Sequence, residues 1–362
     1  MRNKRVLYAA STISHIDNFH RDAIRALRES GYDVYVMANG EGADFNIPFE
    51  KRIFSLKNLR AQREISHILR RYDFGLIVLN TSLAAFHIRA AMPRGLRART
   101  VNIVHGYLFS KRTSPARRFL LIFAEWLMRR RTDRIITMNG YDYGAAKKYS
   151  LAPDVRQSCG MGFSLRPEIT DPVSLRENLL GDGFVITFAG ELSRRKNQRF
   201  LVSAMPRLTL LIPGCRLCLV GDGAELSHLK SLAARLGVSD SVIFTGYRRD
   251  ACDLMRASDL YVSASCSEGL PHNLLEALAL GKTVLVSDVK GHSDLVTDGG
   301  NGYLYKPGDL NDFVNKTCQI YRKRTLNTEK IKHSSNKYLK KNALPIILDL
   351  IKGDCINDRC RD

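Results

Sequence analysis

Two carboxylates stand eight positions apart in the stretch SEGLPHNLLEALALG, residues 267–281. The run DLYVSAS before Glu268 has the composition of a strand, whereas Pro271 suits the first turn of a helix that Gly281 would end. Glu268 would then project from a turn at a strand end, and Glu276 would lie inside the helix. A carboxylate accepts two hydrogen bonds from a vicinal diol, so both glutamates are candidates for binding neighbouring hydroxyl groups of a ligand.

The turn between the two glutamates is a candidate phosphate site. Gly269, Leu270 and Pro271 would form a helix N-terminus, where free backbone N–H groups and the helix dipole attract anions. Gly269 also lets a ligand approach the backbone closely. In the simpler alternative, Glu268 only favours the helix dipole and Glu276 is a surface residue, although its neighbours in LLEALALG are apolar.

A second group of charges follows a strand-like run in AGELSRRKNQ, residues 189–198. It places Arg194, Arg195 and Lys196 at the start of a predicted helix, where positive side chains and free N–H groups could together hold a diphosphate. A solvated basic helix start is the alternative that this stretch leaves open.

Short runs rich in Val, Ile, Leu and Tyr alternate with helix-length segments along the chain. Runs that are apolar on both faces and separated by helices are typical of parallel strands. We therefore predict an α/β protein with two facing, Rossmann-like, doubly wound parallel sheets and a cleft between the domains. The predicted strands are RVLYAA, DVYVMAN, FGLIVLN, TVNIVHG and RIITMN, then FVITFAG, RLCLVGDG, SVIFTGY, DLYVSAS, TVLVSD and GYLYKPG.

The domain boundary is predicted where Gly, Pro and polar residues outweigh any periodic pattern, in the stretch 159–183. The predicted division is a basic N-terminal domain (1–165), a hinge (166–183), a C-terminal Rossmann-like domain (184–340), and a C-terminal helix and frayed tail (341–362).

Positive charge is concentrated in the first half of the chain. Fifty-six Lys and Arg stand against 36 Asp and Glu, and within residues 60–131 there are 15 basic and 3 acidic residues. Such a face favours an anionic membrane surface or nucleic acid, with a merely solubilising surface as the alternative. Zinc-finger, RNP and bZIP patterns are absent from the sequence, so we do not expect nucleic acid.

The segment RRFLLIFAEWLMRRR, residues 117–131, combines apolar and aromatic residues with basic ends, as a helix lying in a membrane interface would. A core helix with solvated ends is the alternative. The apolar stretch 119–128 is too short to span a bilayer, and the N-terminus lacks the apolar core of a signal peptide. We expect a cytoplasmic protein, peripheral on the cytosolic face of the plasma (inner) membrane.

No metal site is predicted from local spacing. The sequence contains no Asp-x-Asp, no His-x₃-His and no cysteine pair with ligand spacing, and we expect neither a metal nor another cofactor. The eight cysteines are interpreted as reduced small hydrophobes. Cys215 and Cys218 have an odd separation, which would point their thiols to opposite faces of a strand.

The second domain resembles the retaining glycosyltransferases of family 4, which have the GT-B fold. The likeness is in the order AGELSRRKNQ, LVGDG, FTGY, SEGLPHNLLEALALG and VSDVKGHSDLVTDGGNGYLYKPGD, and the spacing of Glu268 and Glu276 is that family's signature. In the first domain, SHIDNFHRDAIRALRESGYDVYVMANG and VNIVHGYLFSKR resemble members that assemble O-antigen, capsule and other polysaccharides. The resemblance covers roughly residues 6–40, 100–112, 158–164 and 185–312.

The resemblance implies roles for the candidate residues. Glu268 and the backbone of the turn would meet the donor sugar and phosphates, Glu276 would hold the ribose hydroxyls, and Lys196 would bind the diphosphate. Further implied contacts are with the base at Gly246 and Tyr247, and with a sugar oxygen beside the scissile bond at His105. His15 and His20 straddle the predicted loop after the first strand, near the cleft, and are candidates for the acceptor side. A lone histidine is more often structural, which is the alternative for all three histidines.

Two positions depart from the family pattern. Many members have Gly-Arg-Leu where this chain has Gly190-Glu191-Leu192, so the usual diphosphate arginine is absent and Arg194 or Arg195 would substitute. Leu108 replaces the second of two paired histidines in the first domain.

We therefore expect a retaining, metal-independent glycosyltransferase. It would move a hexosyl or N-acetylhexosaminyl group from a nucleotide sugar, with a bias toward UDP, to a polyprenyl-diphosphate-linked oligosaccharide in O-antigen, capsule or exopolysaccharide biosynthesis. Lys196, nearby arginines and helix N-termini would balance the leaving-group charge. A sugar-nucleotide 2-epimerase of similar fold, a non-catalytic sugar-nucleotide-binding protein and a nucleic-acid binder are the alternatives, and the oligomeric state stays open.

Overall fold

All eleven runs predicted as strands are strands, and they belong to two parallel sheets. The computed structural model describes residues 3–50, 55–323 and 326–353. The chain divides into a first unit, residues 1–162 with 340–362, and a second unit, residues 163–339. The predicted α/β class with two Rossmann-like domains is confirmed.

The first unit contains a seven-stranded parallel sheet. Its strands are β1 (Arg5–Thr12), β2 (Asp33–Asn39), β3 (Phe45–Asn46), β4 (Leu76–Asn80), β5 (Arg99–Val104), β6 (Arg134–Thr137) and β7 (Asp154–Gln157), in the spatial order β3-β2-β1-β4-β5-β6-β7. Its first six helices are α1 (Ile13–Phe19), α2 (Arg21–Glu29), α3 (Leu56–Arg71), α4 (Ser82–Ala91), α5 (Pro115–Leu127) and α6 (Gly140–Lys148), and a 3₁₀ turn covers Arg129–Arg131.

The second unit contains a six-stranded parallel sheet. Its strands are β8 (Val185–Ala189), β9 (Arg216–Val220), β10 (Val242–Gly246), β11 (Leu260–Ser263), β12 (Val284–Ser287) and β13 (Tyr303–Tyr305), in the order β10-β9-β8-β11-β12-β13. Its helices are α7 (Pro172–Leu175), α8 (Gln198–Leu211), α9 (Leu226–Arg235), α10 (Ala251–Ala257), α11 (His272–Ala279), α12 (Leu310–Lys323) and α13 (Thr328–Ser334), with a π-helical segment at Arg176–Leu180 and 3₁₀ turns at Ser239–Ser241 and Asn336–Tyr338.

The strand order reverses inside each sheet, between β1 and β4 and between β8 and β11. Doubly wound sheets bind ligands at the carboxyl ends of the strands beside such a reversal. The central strands are buried along their whole length, as in LIVLN of β4 and VITFA of β8, which anchors these strand ends firmly.

Two strands, β3 and β7, were not predicted. Both lie at an edge of the first sheet, and β3 has two residues while β7 reads DVRQ. Edge strands are short and partly solvated, so they lack the apolar run that identifies a central strand.

The segment 117–131 forms α5 and the 3₁₀ turn after it, and none of its residues is fully buried. Phe119 is 70% exposed and Leu120 63% exposed. On the inner side, Glu125 accepts two hydrogen bonds, of 3.1 and 3.0 Å, from the fully buried guanidinium of Arg89. The core-helix alternative is therefore wrong, and Glu125 interrupts the apolar stretch because it pairs with a buried cation.

The C-terminal helix α14 (Lys340–Lys352) belongs to the first unit. Arg99 donates to the carbonyl oxygen of Lys352 (2.7 Å) and Arg134 to that of Leu350 (2.6 Å), so two cations satisfy the last turn of the helix. The segment 166–183, expected to be a hinge, contributes α7 and the π-helical segment to the second unit. The predicted frayed tail, beyond residue 353, lies outside the described residues.

Six of the eight cysteines lie in the described part of the chain, and all six are free thiols. Five are buried and Cys266 is exposed. Burial raises the pKa of the Cys215 and Cys218 thiols to about 12, so both stay protonated and pack as small apolar groups. Among the described helices, none combines the length and the apolarity required to cross a membrane.

Candidate active site

Glu268 lies in the turn that joins β11 to α11, and a second loop crosses directly over it. Its backbone N–H donates to the carbonyl oxygen of Lys290 (3.1 Å). A Cβ atom at Gly291, where φ is +84°, would come within 2.7 Å of the Glu268 Cβ. Only glycine permits this approach, so the chain after β12 fixes the position of the turn.

The carboxylate of Glu268 is held between two cations. Lys196 Nζ lies 2.7 Å from Oε1, and Arg195 Nη1 lies 2.7 Å from Oε2, while only 7% of the Glu268 side chain is exposed. Burial alone would raise the pKa of Glu268, but Lys196 and Arg195 together outweigh it and lower the pKa to about 2. The group is therefore a buried, ionised carboxylate at any physiological pH.

A buried histidine lies in the electrostatic field of this cluster. His292 is fully buried, its Nδ1 lies 2.9 Å from the carbonyl oxygen of Ser287, and its Nε2 has no hydrogen-bond partner among the described residues. Burial lowers the pKa of His292 to about 4, against the attraction of Glu268. His292 lies within the VSDVKGHSD motif but was not among the predicted site residues.

Glu276 lines a cavity of about 330 Å³ at the carboxyl ends of β8, β9 and β10. Burial raises the pKa of Glu276, and the charge of Arg166 partly opposes this shift. Burial, and after it the charges of Glu268 and Glu276, raise the pKa of Tyr261 on β11, so both carboxylates act on one buried hydroxyl. The other lining residues are Arg166, Ala189, Gly190, Glu191, Val220, Gly221, Asp222, Tyr247, Arg248, Ala251, Cys252 and Asn273.

The first turn of α11 is tied to the floor of this cavity. Pro271 takes the N-cap position, and Asn273, in the first turn, donates from its amide to the carbonyl oxygen of Ala189 at the end of β8. A Cβ atom at Gly221 would lie 2.0 Å from the Gly190 carbonyl oxygen, so the ends of β8 and β9 touch backbone to backbone. The floor of the cavity is therefore formed by backbone. At the other end of α11, Gly281 follows the helix with φ of +74°, which confirms the predicted helix stop.

The remaining donor-side candidates occupy different positions. Tyr247 lines the cavity next to Gly246, which ends β10 with φ of +68°. Gly269 and Leu270 form the turn after Glu268. Arg194, by contrast, is 88% exposed and pairs with Glu225 at 3.3 Å, apart from the Glu268 cluster.

Two arginines that were not predicted also belong to this site. Arg166 and Arg248 line the cavity together with Glu191, which stands where many family members have arginine. Arg248 is paired with Asp250 at 2.6 Å, and this hydrogen bond lowers the pKa of Asp250 to about 2. Arg248 follows Tyr247 directly, which was an available signal, whereas Arg166 stands alone in the predicted linker.

Three of the five histidines of the first unit come together in one cluster. His15 lies in α1, His20 lies between α1 and α2, and His105 follows β5 directly. One ring nitrogen from each lies within 4.8 Å of the others. Leu108, which replaces a family histidine, is exposed and is not part of this cluster.

Comparisons with known proteins agree with this architecture. Models for glycosyl transferases group 1 and for glycosyltransferase family 4 match residues 174–343 and 18–155. The putative glycosyltransferase EpsD of Bacillus subtilis is 31% identical over 341 residues, which cover 89% of this chain and 89% of that protein. The chain therefore belongs to the GT-B glycosyltransferases of the family 4 type, as the motifs predicted.

A second relative and a solved structure extend the comparison. The UDP-Gal:α-D-GlcNAc-diphosphoundecaprenol α-1,3-galactosyltransferase of Escherichia coli is 24% identical over 291 residues, covering 76% of this chain and 74% of that protein. The crystal structure of Anabaena Alr3699/HepE in complex with UDP and glucose superposes with a TM-score of 0.76 at 21% identity, covering 96% of this chain and 99% of that one. At this identity the structural likeness shows the fold.

Proposed function

We propose that this glycosyltransferase moves a hexosyl or N-acetylhexosaminyl group from a UDP-sugar to a lipid-linked oligosaccharide, with retention of the anomeric configuration. The reaction would serve the assembly of a bacterial surface polysaccharide such as O-antigen, capsule or exopolysaccharide. The observation that carries the proposal is the cluster of Glu268, Lys196 and Arg195 beside the turn before α11.

This cluster has the parts that sugar transfer from a diphosphate requires. Lys196 and Arg195 are positioned before any ligand arrives, since Glu268 orients both at 2.7 Å. Charges fixed in advance stabilise a leaving phosphate without reorganisation during the reaction. Glu268 keeps further oxygen lone pairs that can accept hydrogen bonds from sugar hydroxyls. We propose that these side chains and the turn amides replace a divalent metal at the diphosphate.

The cavity lined by Glu276 is the proposed nucleotide site. Glu276 offers a carboxylate for two vicinal ribose hydroxyls, and Tyr247 stands at its wall as a ring for the base. The choice of UDP is supported by the E. coli relative, whose name specifies UDP-Gal, and by HepE, which binds UDP and glucose.

A polyprenyl-diphosphate acceptor is proposed from that same relative, which acts on a sugar linked to diphosphoundecaprenol. Such an acceptor resides in a membrane, so the enzyme must reach a lipid surface. The basic first half of the chain suits an anionic one, which we propose is the cytosolic face of the inner membrane.

The membrane contact is proposed to be the α5 surface, formed by Phe119, Leu120, Phe123, Trp126 and Leu127. All five side chains are exposed, and Arg129 stacks on the ring of Trp126 at 3.6 Å from the ring centroid. Aromatic and apolar groups beside cations are the combination that settles at a lipid headgroup boundary.

The proposed reaction is tested by screening nucleotide sugars for release of free nucleotide in the presence of an extract of bacterial membrane lipids. We expect release from one UDP-sugar only when the lipid extract is present, and an α-linked product from an α-linked donor by NMR. An epimerised nucleotide sugar formed without acceptor would identify a 2-epimerase instead. Tight donor binding without any turnover would identify a non-catalytic binding protein.

The proposed membrane contact is tested by co-sedimentation with phosphatidylglycerol vesicles. Arg130 is exposed, whereas Arg131 donates to the carbonyl oxygen of Ala90 (2.8 Å), so reversing Arg131 would also disturb the fold. We expect Arg130→Glu and the double variant Phe119→Ser/Leu120→Ser to weaken vesicle binding, and Arg235→Glu, an exposed residue of the second unit, to leave it unchanged. Equal binding by all variants would contradict the contact.

A further inference from the structure

The carboxyl ends of β1 and β5 bring three histidines from distant parts of the sequence to one place. These strands flank β4, so the chain after each of them emerges on the same edge of the sheet. His15 and His20 follow β1, and His105 follows β5. The last residue of β4, Asn80, is fully buried between these two strand ends.

The spacing of the ring nitrogens fits a metal ion. His15 Nε2 lies 3.3 Å from His20 Nε2, and the ligand atom of His105 completes a group that spans at most 4.8 Å. Two imidazoles that each bind Zn²⁺ at about 2.0–2.1 Å in tetrahedral geometry hold their nitrogens about 3.3 Å apart. The first two histidines thus have the separation of two Zn²⁺ ligands, and a ring nitrogen of the third lies within 4.8 Å.

Partners outside the cluster orient two of the rings. The hydroxyl of Tyr8, a fully buried residue of β1, lies 2.9 Å from His20 Nδ1 and leaves His20 Nε2 to face His15. Asn80 Oδ1 lies 3.3 Å from His105 Nε2. Metal-binding histidines almost always use their second ring nitrogen for such a hydrogen bond, because it fixes the ring and the tautomer.

We propose that His15, His20 and His105 form a binding site for a divalent transition metal, with Zn²⁺ as the best match. The group contains imidazole nitrogens and no carboxylate, which favours Zn²⁺ over Mg²⁺, Mn²⁺ or Ca²⁺. Three protein ligands leave the fourth tetrahedral position open to water or to an oxygen of a ligand. This site does not depend on the proposed transfer reaction.

The test is metal binding by the tag-free, full-length protein after chelator treatment and dialysis. Titration with Zn²⁺ in a calorimeter should give one ion per chain, and titration with Co²⁺ should give the intense visible absorption of a tetrahedral complex. Replacement of a ligand by His15→Ala should weaken binding by at least about 100-fold, and Tyr8→Phe, which removes an orienting hydroxyl, by about 10–100-fold.

His67→Ala is the matched control, since His67 is an exposed histidine of α3 in the same unit. It should bind Zn²⁺ like the unaltered protein. His15 is chosen over His20 because His20 is fully buried and its loss endangers folding. No stoichiometric binding, or unchanged affinity in His15→Ala, would overturn the proposal and leave the 3.3 Å contact as a hydrogen bond between two imidazoles.

Discussion

The two sheets of this protein have the same strand order around their central strands, but the side chains at their carboxyl ends differ in charge state. Those of the second unit are ionised, and those of the first unit are neutral. In the second unit, Glu268 is buried and ionised because Lys196 and Arg195 compensate it at 2.7 Å. In the first unit, His15 and His20 are kept neutral by burial. The carboxyl edge of a Rossmann-like sheet therefore provides the place for a site. The charge of the side chains there decides whether the site suits an anionic diphosphate or a metal cation that accepts lone pairs.

If the second site works through compensated charge, removing the central carboxylate has the largest effect on transfer. We expect Glu268→Gln to lower kcat/KM by about 10²–10³-fold, because the sugar contact weakens and the two cations lose their orientation. The measurement is nucleotide release with the preferred donor. Glu177→Gln, an exposed glutamate of the same unit, is the control, and similar rates for both variants would contradict the assignment of Glu268.

The second largest effect on transfer is expected from Lys196, because we propose that side-chain cations stabilise the diphosphate in place of a metal. Lys196→Met should lower kcat by about 10²-fold, whereas Arg194→Met, at an exposed position, should have little effect. EDTA should not lower the rate of the unaltered enzyme, and Mn²⁺ should not rescue Lys196→Met. Activity that vanishes with EDTA and returns with Mn²⁺ but not with Zn²⁺ would instead place a metal at the diphosphate.

We expect the fold to be sensitive to acid, because buried histidines are neutral in it. His292 lies in the second unit, so it tests this effect apart from the proposed metal site. Its pKa is about 4 in the folded chain and about 6.5 when unfolded, so the unfolded state binds more protons as pH falls through this window. Stability is fully present above about pH 6.5, and lowering pH from 7 to 5 should cost about 2 kcal/mol at this residue.

The measurement is the free energy of unfolding in urea at pH 7 and pH 5 for the unaltered protein and His292→Asn. Asparagine can keep the hydrogen bond to Ser287 and does not titrate, so the variant should lose less stability between the two pH values. An equal loss of stability between pH 7 and pH 5 in the unaltered protein and in His292→Asn would exclude His292 as the sensor. Glu268 does not contribute in this pH window, because its stabilising ion pairs remain until pH falls below about 4.5 toward its folded pKa of about 2.

Glu276→Gln separates donor binding from sugar transfer in the second unit, because we propose that Glu276 contacts only the ribose. Loss of a hydrogen-bonded charge to the ribose should raise the donor KM of Glu276→Gln about 10-fold and leave kcat nearly unchanged. A variant that lowers kcat as strongly as Glu268→Gln would show that the two carboxylates do not divide the work in this way. Full kinetics with the donor as the varied substrate separate these outcomes.

Much of the second site could be predicted from the sequence, because its chemistry is local. The strand, turn and helix around Glu268 follow one another without interruption, and each has a clear signal in Pro271, Gly281 and the apolar runs. The basic turn before α8, with Arg195 and Lys196, could be predicted equally well. The residues missed are His292 and Arg166, which reach the site from other segments, and Arg248, which directly follows the predicted Tyr247.

By itself, the sequence determined the fold class, the central strands and the family, since hydrophobic periodicity and a spaced pair of glutamates depend only on neighbours along the chain. The tertiary structure decided that Glu125 turns inward to Arg89, that α14 joins the first unit, and that His15, His20 and His105 meet. Local spacing rules found no metal ligands among these histidines, because the strand order β1-β4-β5 and not the chain brings them together. Long-range pairing sets which strand ends are adjacent, and adjacency sets which side chains can share one ligand.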